Sequence, residues 1–468
     1  MASNNPNYRQ IIRLARSGAL ERAWARFEAS GLAGNEEDPR ALTLRARLKK
    51  DRAKRSEGAE RIDWLRQSAA DYLAAAAISG GSYPMINAAS LSLLAGQPSQ
   101  AARLAQQVLD LLEARPEEAE TRYWHGATRA EAFLLLGKLP EARAALRTAV
   151  ADAPLAWEDR AATLGQFQLV CAELGHDSSW LDQLRPPRSV HFSGIMGVEA
   201  GNGPLESEIA DWLERENVGF GFGALAAGAD IWIAEALDRR GAELHVILPC
   251  PADIFRTSSV CAVDPVWGER FDRLMERAVS VDVLDTANSP TPAAVKLGDA
   301  VARGLAIHNA RNLQSEALAL RIDGLDDPVR DRGGDGSSLR QRSFTVARRS
   351  GGPDFRIDES GVSQALLRIG GEKETRMFAS AGEAWSASAP ARREGLPVVL
   401  DYQFRDPGEP QAEVTAKLDA LAEVVEPGQA LATKAMSFAL LAEEPGLHVD
   451  MLGDVRTAGG FMPLYALA

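Results

Sequence analysis

Two consecutive prolines, Pro186 and Pro187, divide the chain into stretches whose hydrophobic patterns require different backbones. Proline lacks the amide hydrogen a helix needs, and its ring disfavours a helical residue before it, so no helix runs through the pair. Over residues 7–185 apolar positions recur every three or four residues in a background of Ala, Leu, Arg, Gln and Glu, which predicts packed helices. After the prolines the period changes. Short apolar runs at 190–192, 218–222, 244–248, 279–284 and 317–322 alternate with helical segments at 205–215, 229–240, 267–277 and 293–309. Strands separated by helices predict a parallel sheet covered on its faces.

The expected organisation is multidomain. An all-α helical repeat domain covers 7–185, and a Rossmann-like α/β domain with a parallel sheet covers 188–325. A connector or surface insertion follows over 326–370, where Asp326, Asp327, Asp331 and Asp335 mix with Gly333, Gly334, Gly336, Gly351 and Gly352. A small α+β region occupies 371–468, with strands expected at 396–404, 447–452 and 463–467 and helices at 413–425 and 430–443. The 468 residues suit two to four cores. A formal charge of -13 argues against an extended nucleic-acid partner or an anionic membrane surface. Three cysteines, Cys171, Cys250 and Cys261, with no paired spacing, fit a reducing compartment and supply no metal set. With no apolar run long enough to span a bilayer and no signal-peptide pattern at the start, the expected location is cytoplasmic.

Within the helical stretch a glycine precedes a small residue by five positions three times: Gly18 and Ala23, Gly96 and Ala101, Gly137 and Ala142. The third unit adds Trp124, Leu146, Ala149 and Pro154. Glycine permits a tight reversal, small residues permit close helix approach, and proline ends the second helix. These residues resemble tetratricopeptide repeats. The spacing departs from the family repeat of about 34 residues, since Gly18 to Gly96 is 78 and Gly96 to Gly137 is 41, which implies insertions or a divergent middle repeat. The repeats are either a partner-binding surface or a helical platform. The basic run Arg45, Arg47, Lys49, Lys50, Arg52, Lys54 and Arg55 either faces an acidic partner or forms a solvated helix face.

The chemistry-bearing stretch is Gly219 to Asp230. Gly221, Gly223 and Gly228 do not form a dinucleotide fingerprint, because they follow the second strand and no ribose-binding acid follows the third. No Gly-Lys-Ser or Gly-Lys-Thr loop is present either. A glycine-containing loop beside a helix N-terminus still offers backbone amides and partial positive charge to a phosphate. Ser193 and Gly194 end the preceding strand at the same carboxyl edge. Glu235, on the helix leaving the loop, is placed to orient a ribose or a base amine. Asp230, in its first turn, either caps the helix or joins the site. Arg256, between Asp253 and Ser258, is a phosphate donor or a salt-bridged connector anchored by Phe255. His191 and His245 sit in apolar runs and read as hydrogen-bonded core residues.

Taken in order, residues 190–194, 221–230, 234–236 and 241–249 resemble the SLOG superfamily of Rossmann-like nucleotide binders, which includes the LOG-type phosphoribohydrolases. The resemblance puts Ser193 and Gly194 on a first ligand loop, Gly223, Gly228 and Ala229 on a phosphate-facing loop, and Glu235 at the acidic helix position. The hydrolases carry Pro-Gly-Gly and Gly-Thr elements that this loop lacks. A weaker resemblance links 428–465 to the tail of class III nucleotide cyclases, without their paired aspartates. The function expected is an intracellular signalling or regulatory protein that needs no cofactor. Its repeats bind a protein partner, and its α/β domain binds a nucleotide or nucleotide-derived ligand. The alternatives are an N-glycosidic nucleotide hydrolase with Glu235 as catalytic acid, and a non-catalytic scaffold.

Overall fold

The computed structural model describes residues 6–16, 20–117, 121–284, 289–325, 339–349, 362–370, 372, 374–405, 411–457 and 460–468. They fall into two compact units, Met1–Pro186 and Pro187–Ala468.

In the first unit the helices are α1 (Pro6–Arg16), α2 (Leu20–Ala29), α3 (Pro39–Ala53), α4 (Gly58–Ser79), α5 (Ser82–Leu94), α6 (Pro98–Ala114), α7 (Arg122–Leu135), α8 (Leu139–Asp152) and α9 (Trp157–Glu173). Consecutive pairs from α1/α2 to α7/α8 pack as hairpins. Gly137 takes φ +72° after α7, and the Lys138 amide then reaches back to Phe133 O at 2.9 Å. Gly96 repeats this after α5, with φ +74° and Gln97 N to Ser92 O at 2.9 Å. A left-handed residue closing the helix end is the reason for glycine at both places. Ala101, Ala142 and Leu146 are buried in one core with the helices they approach. Gly18 lies outside the described residues.

The long gap before Gly96 holds the α3/α4 hairpin, so the divergent middle repeat is a complete pair of helices. Its basic run is largely neutralised within the unit. Arg45 and Lys49 pair with Asp71 at 2.8 and 2.7 Å, Arg52 pairs with Glu21 at 2.6 Å, and Lys54 pairs with Asp51 at 2.8 Å. Arg52 also lies over the rings of Trp24 and Trp64. Lys50 donates to Gln166 Oε1 at 3.3 Å, and Gln166 and Ser90 donate to Glu131 Oε1 at 3.1 and 2.5 Å. This chain of hydrogen bonds joins α3, α5, α7 and α9. Burial lowers the Lys50 pKa and raises that of Glu131.

The second unit begins with β1 (Arg188–Gly194), α10 (Gly203–Arg215), β2 (Val218–Gly223), α11 (Ala229–Arg239), β3 (Glu243–Leu248), α12 (Ala252–Phe255), α13 (Val266–Arg277), β4 (Ser280–Val283), α14 (Pro292–Asn312), β5 (Ala317–Gly324) and β6 (Arg340–Val346). These strands form a six-stranded sheet in the order β4-β3-β2-β1-β5-β6, with every pairing parallel. The chain steps outward from β1 to β4, and α14 then carries it back across the sheet to β5 on the other side of β1. Alternate residues of β1 face opposite layers. Val190 and Phe192 join the core beneath α10, α11 and α13. Ser189 and His191 meet Asn309 and Asp299 of α14.

A second sheet is built from β7 (Val362–Ile369), β8 (Arg376–Phe378), α15 (Ala381–Ala387), α16 (Ala389–Arg393), β9 (Val398–Arg405), α17 (Gln411–Ala422), β10 (Ala430–Ala432), α18 (Lys434–Glu443), β11 (Val449–Thr457) and β12 (Gly460–Leu467). Its order is β11-β12-β10-β9-β7-β8, parallel at β9/β10 and antiparallel elsewhere. Helix α18 packs along α14, and Gly304 comes so close that a Cβ there would stand 1.9 Å from Phe438 O.

Two expectations are corrected here. The stretch 326–370 contains β6 and β7 where an open connector was expected, because the Asp- and Gly-rich residues around them hid the strands; those Asp and Gly residues lie outside the described residues. The single helix expected over 430–443 is strand β10 and then α18. Thr433 separates them, its side chain accepting from Met436 N and donating to buried Asp401 at 2.6 Å.

Candidate functional site

In a sheet whose pairings are all parallel, every strand ends at one edge, and ligands of such sheets bind where the strand order reverses. Here that point lies beside β1, which ends in Ser193 and Gly194. The loop leaving it meets the loop between β2 and α11. Met196 and Gly228 form an antiparallel bridge, and Ala229 N donates to Ile195 O at 3.1 Å. Gly228 has φ +117°, and a Cβ on it would lie 2.7 Å from Ile195 O, so conformation and space both require glycine.

The other glycines are also explained by packing. A Cβ on Gly194 would meet Ala229 Cβ at 2.4 Å, one on Gly223 would meet Phe192 O at 2.6 Å, and one on Gly221 would meet Leu237 Cδ1 at 2.4 Å. Several loop amides have partners inside the protein: Ala226 N donates to Asp230 Oδ2 at 3.2 Å and Ala227 N to Ser259 O at 2.9 Å. The glycine spacing thus reports the approach of strand, loop and helix, and the feature that points to a ligand is Asp230.

Asp230 lies in the first turn of α11 and is 6% exposed. Its Oδ2 holds the Ala226 amide, while its buried Oδ1 has no hydrogen-bond partner among the described residues. Burial raises its pKa to about 8, against the pull of the Ala226 and Gly194 amides and with a further push from Asp299. At neutral pH this carboxyl is mostly protonated, so it offers a hydrogen to an acceptor. It steadies the preceding loop, and the helix is capped at Gly228 without a side-chain bond.

Glu235 is 8% exposed and faces α13. Arg270 grips both its oxygens, from Nε at 2.9 Å and Nη2 at 2.6 Å, and Arg273 adds a third bond at 2.6 Å. Arg270 also donates to Ala200 O at 2.5 Å and lies over the Trp267 ring, so Glu235 braces the loop after β1 through that guanidinium. Arg256 faces Asp272 through two bonds of 2.8 and 2.7 Å, with Cys261 Sγ at 3.3 Å from its Nη1. It starts a π-helical turn, Arg256–Cys261, with Phe255 buried beside Phe271. Of the two arrangements expected for Arg256, this is the ion-paired one.

Nothing in the sequence pattern pointed to Arg348 and Arg349, because the strand before them was unread. Arg348 donates to Met196 O at 3.0 Å, Arg349 N donates to Gly197 O at 2.7 Å, and the Arg349 side chain pairs with Asp264 at 2.9 Å. Arg270 and Arg273 had a fainter signal, being three apart on one face of a predicted helix. Three arginines, Arg270, Arg348 and Arg349, therefore donate to carbonyls of the loop after β1. His191 bonds Asp299 at 2.9 Å, and His245 bonds Ser280 at 2.8 Å while stacking on Phe222. The three cysteines are free, and burial raises the Cys250 thiol to about 11. Among the described residues no group of three or more His, Cys, Asp or Glu side chains is arranged to hold a metal ion. Nor is any described helix long and apolar enough to cross a membrane.

Fold and edge together define a helical-repeat protein joined to a unit of one parallel and one mixed sheet. The family model described as Tetratricopeptide Repeats-Sensor matches residues 3–92, so the N-terminal region is tetratricopeptide-like. Among solved structures, a mutant O-GlcNAc transferase of Thermobaculum terrenum is similar at 12% identity, covering 66% of this chain and 75% of that one, with a TM-score of 0.20. No curated protein matches.

Proposed function

We propose that this is a regulatory protein whose helical repeats engage a protein partner and whose parallel-sheet unit binds a nucleotide or nucleotide-derived ligand at the carboxyl edge, as SLOG-superfamily members do. Repeats of the tetratricopeptide type support the first half. For the second half, the observation that carries the reading is the Asp230 carboxyl. It is buried at the positive end of α11, between the two converging loops, and its Oδ1 has no hydrogen-bond partner among the described residues. A protonated acid beside a helix N-terminus suits a ligand rich in acceptor oxygens. Ser193, Gly194 and Ala229 border the same place. Binding is favoured over hydrolysis because both oxygens of Glu235, the acid on which the hydrolase alternative relies, are held by guanidinium groups.

The test is native mass spectrometry of the purified chain against a panel of nucleoside phosphates, dinucleotides and nucleotide sugars. The expected result is saturable retention of one class, weakened about tenfold or more by Asp230→Ala, the loss of one good hydrogen bond in a dry site. Glycine replacements are poor probes, since each would disturb internal packing. Retention by none of the panel rejects the reading, and retention untouched by Asp230→Ala moves the site elsewhere.

A further inference from the structure

The parallel sheet has two edge strands, β4 and β6, and they carry different side chains. An open edge offers a row of unpaired amides and carbonyls to another strand, and charged side chains are a common guard. Strand β6 has that guard: Arg340 to Ser343 are exposed, with Arg340 paired to Glu216 at 2.6 Å and Arg342 over the Phe344 ring. Strand β4 has valines instead. Val279 extends it by one residue, its amide donating to Leu244 O at 2.8 Å, and Val279, Val281 and Val283 are 60%, 38% and 44% exposed. Alternation puts all three on one face. Val281 and Val283 stand beside Val246 and Leu248 of β3, which belong to the core beneath α11 and α13, so the row carries that apolar layer out to the edge. On the other face Ser280 bonds His245 Nδ1 at 2.8 Å, and Asp282 pairs with Lys434 of α18. No described strand pairs with the outer side of β4.

The strand is its own complement. Val279, Ser280, Val281, Asp282 and Val283 place valine, polar residue, valine, polar residue and valine in either direction. A second copy turned about a two-fold axis perpendicular to the sheet at Val281 lays its β4 antiparallel to this one and keeps the α13 face of both copies on the same side. Val281 then meets the copy's Val281, Val279 meets the copy's Val283, and the two sets of valines form one cross-strand row. Ser280 meets the copy's Asp282. With His245 Nδ1–H donating to Ser280 Oγ, the serine hydroxyl is left to donate to that carboxylate, so the polar face gains a hydrogen bond on each side of the axis. Other registers lose the match. An axis at Asp282 sets two carboxylates directly opposite each other, and one at Ser280 leaves Val283 opposite Arg277 of α13.

We infer that the β4 edge is a homodimer interface, an isologous strand pairing that joins two six-stranded sheets into one continuous sheet. The occupant is a second copy of this chain because a single symmetry operation satisfies the apolar row, the polar pair and the strand direction together. The joint is short, so the dimer is concentration-dependent and not obligate.

Sedimentation equilibrium of the full chain, followed to high concentration, should show a monomer–dimer equilibrium. Val281→Lys puts two ammonium groups together on the axis and should weaken the dimer by about tenfold or more. Cysteine cross-linking under mild oxidation reads the register and does not depend on that variant. Residues directly opposite in an antiparallel pair have Cα atoms about 4.5–5.5 Å apart, within the span of a disulfide. Val281→Cys should therefore cross-link to its own twin. Val283→Cys should not, because its twin lies four residues along the strand, about 13 Å away; Val279→Cys combined with Val283→Cys should cross-link. Wild type is the control for the native thiols. A wild type that stays monomeric overturns the inference, as does a species larger than a dimer, a dimer indifferent to Val281→Lys, failure of Val281→Cys to cross-link, or cross-linking by Val283→Cys alone.

Discussion

Gly304 gives the sharpest test of how the second unit is assembled, because two opposing effects of one methyl group can be weighed there. In an ordinary helix interior, replacing glycine by alanine stabilises by about 1 kcal/mol, through the smaller backbone entropy lost on folding. At Gly304 the added Cβ would lie 1.9 Å from Phe438 O, 2.6 Å from its carbonyl carbon and 2.9 Å from its Cα. Ordinary contact begins near 3.4 Å, so α14 and α18 would have to part by about 1.5 Å, the difference of the two distances. These neighbours are backbone atoms of a helix and cannot rotate aside. A gap of even 0.5–1 Å forfeits about a quarter to a half of the dispersion energy along an interface, and overpacking costs about 1–3 kcal/mol. Against backbone the upper end applies, so the net loss for Gly304→Ala should be about 2 kcal/mol.

The same helix supplies the control. At Gly298 the nearest atom to an added Cβ is Pro249 Cβ at 3.5 Å, an ordinary contact. Gly298→Ala should therefore be neutral or stabilising by up to about 1 kcal/mol. Thermal unfolding followed by fluorescence separates the two, with the Gly304→Ala transition lower by about 4–8 °C at about 2–4 °C per kcal/mol. Hydrogen exchange should show the loosening confined first to α14 and α18. Equal stability of the two variants would refute the argument that helix–helix contact, and not helix propensity, selects glycine at 304.

Three further outcomes are expected. Asp230 has a folded pKa of about 8 against 3.8 for the free group, so the folded state binds the extra proton between those values; its contribution is present at low pH and is lost as pH rises towards 8. Relative to Asp230→Asn, wild type should lose urea resistance between pH 5 and 8, and a pH-independent difference would contradict the assignment. Arg270→Ala should destabilise by about 3 kcal/mol, because it leaves the buried Glu235 with one guanidinium in place of two and frees the loop at Ala200; urea denaturation measures it. Gly137→Ala should cost about 1–2 kcal/mol, the penalty of a left-handed residue with a Cβ, since among the described residues nothing lies within 4 Å of the added carbon; Gly137→Asn should cost less in the same melting assay.

Of the α/β alternation, the five strands and four main helices after Pro187 were readable because a parallel sheet buries its strands as continuous apolar runs and spaces them with helices. The same logic hid β6 and β7. Strand β6 is mostly exposed, reading Arg340 to Val346 with only Phe344 and Val346 buried, and so carries little hydrophobic signal. In the candidate site the loop residues were readable as a stretch, but their roles were not. Glu235 and Arg256 looked available in one dimension, and their partners Arg270, Arg273 and Asp272 come from another helix.

By itself the sequence determined local matters: where helices end, which face each buries, and that the chain changes architecture at Pro186 and Pro187. Periodicity and backbone preference act within a few residues, so they can be read within a few residues. Tertiary structure alone decided which charges are paired, that glycines at 194, 221, 223 and 228 serve internal contacts, and that Asp230 keeps its proton. Those properties depend on what a distant segment brings within a few ångströms and on how much water it displaces, and neither distance nor dielectric is written along the chain.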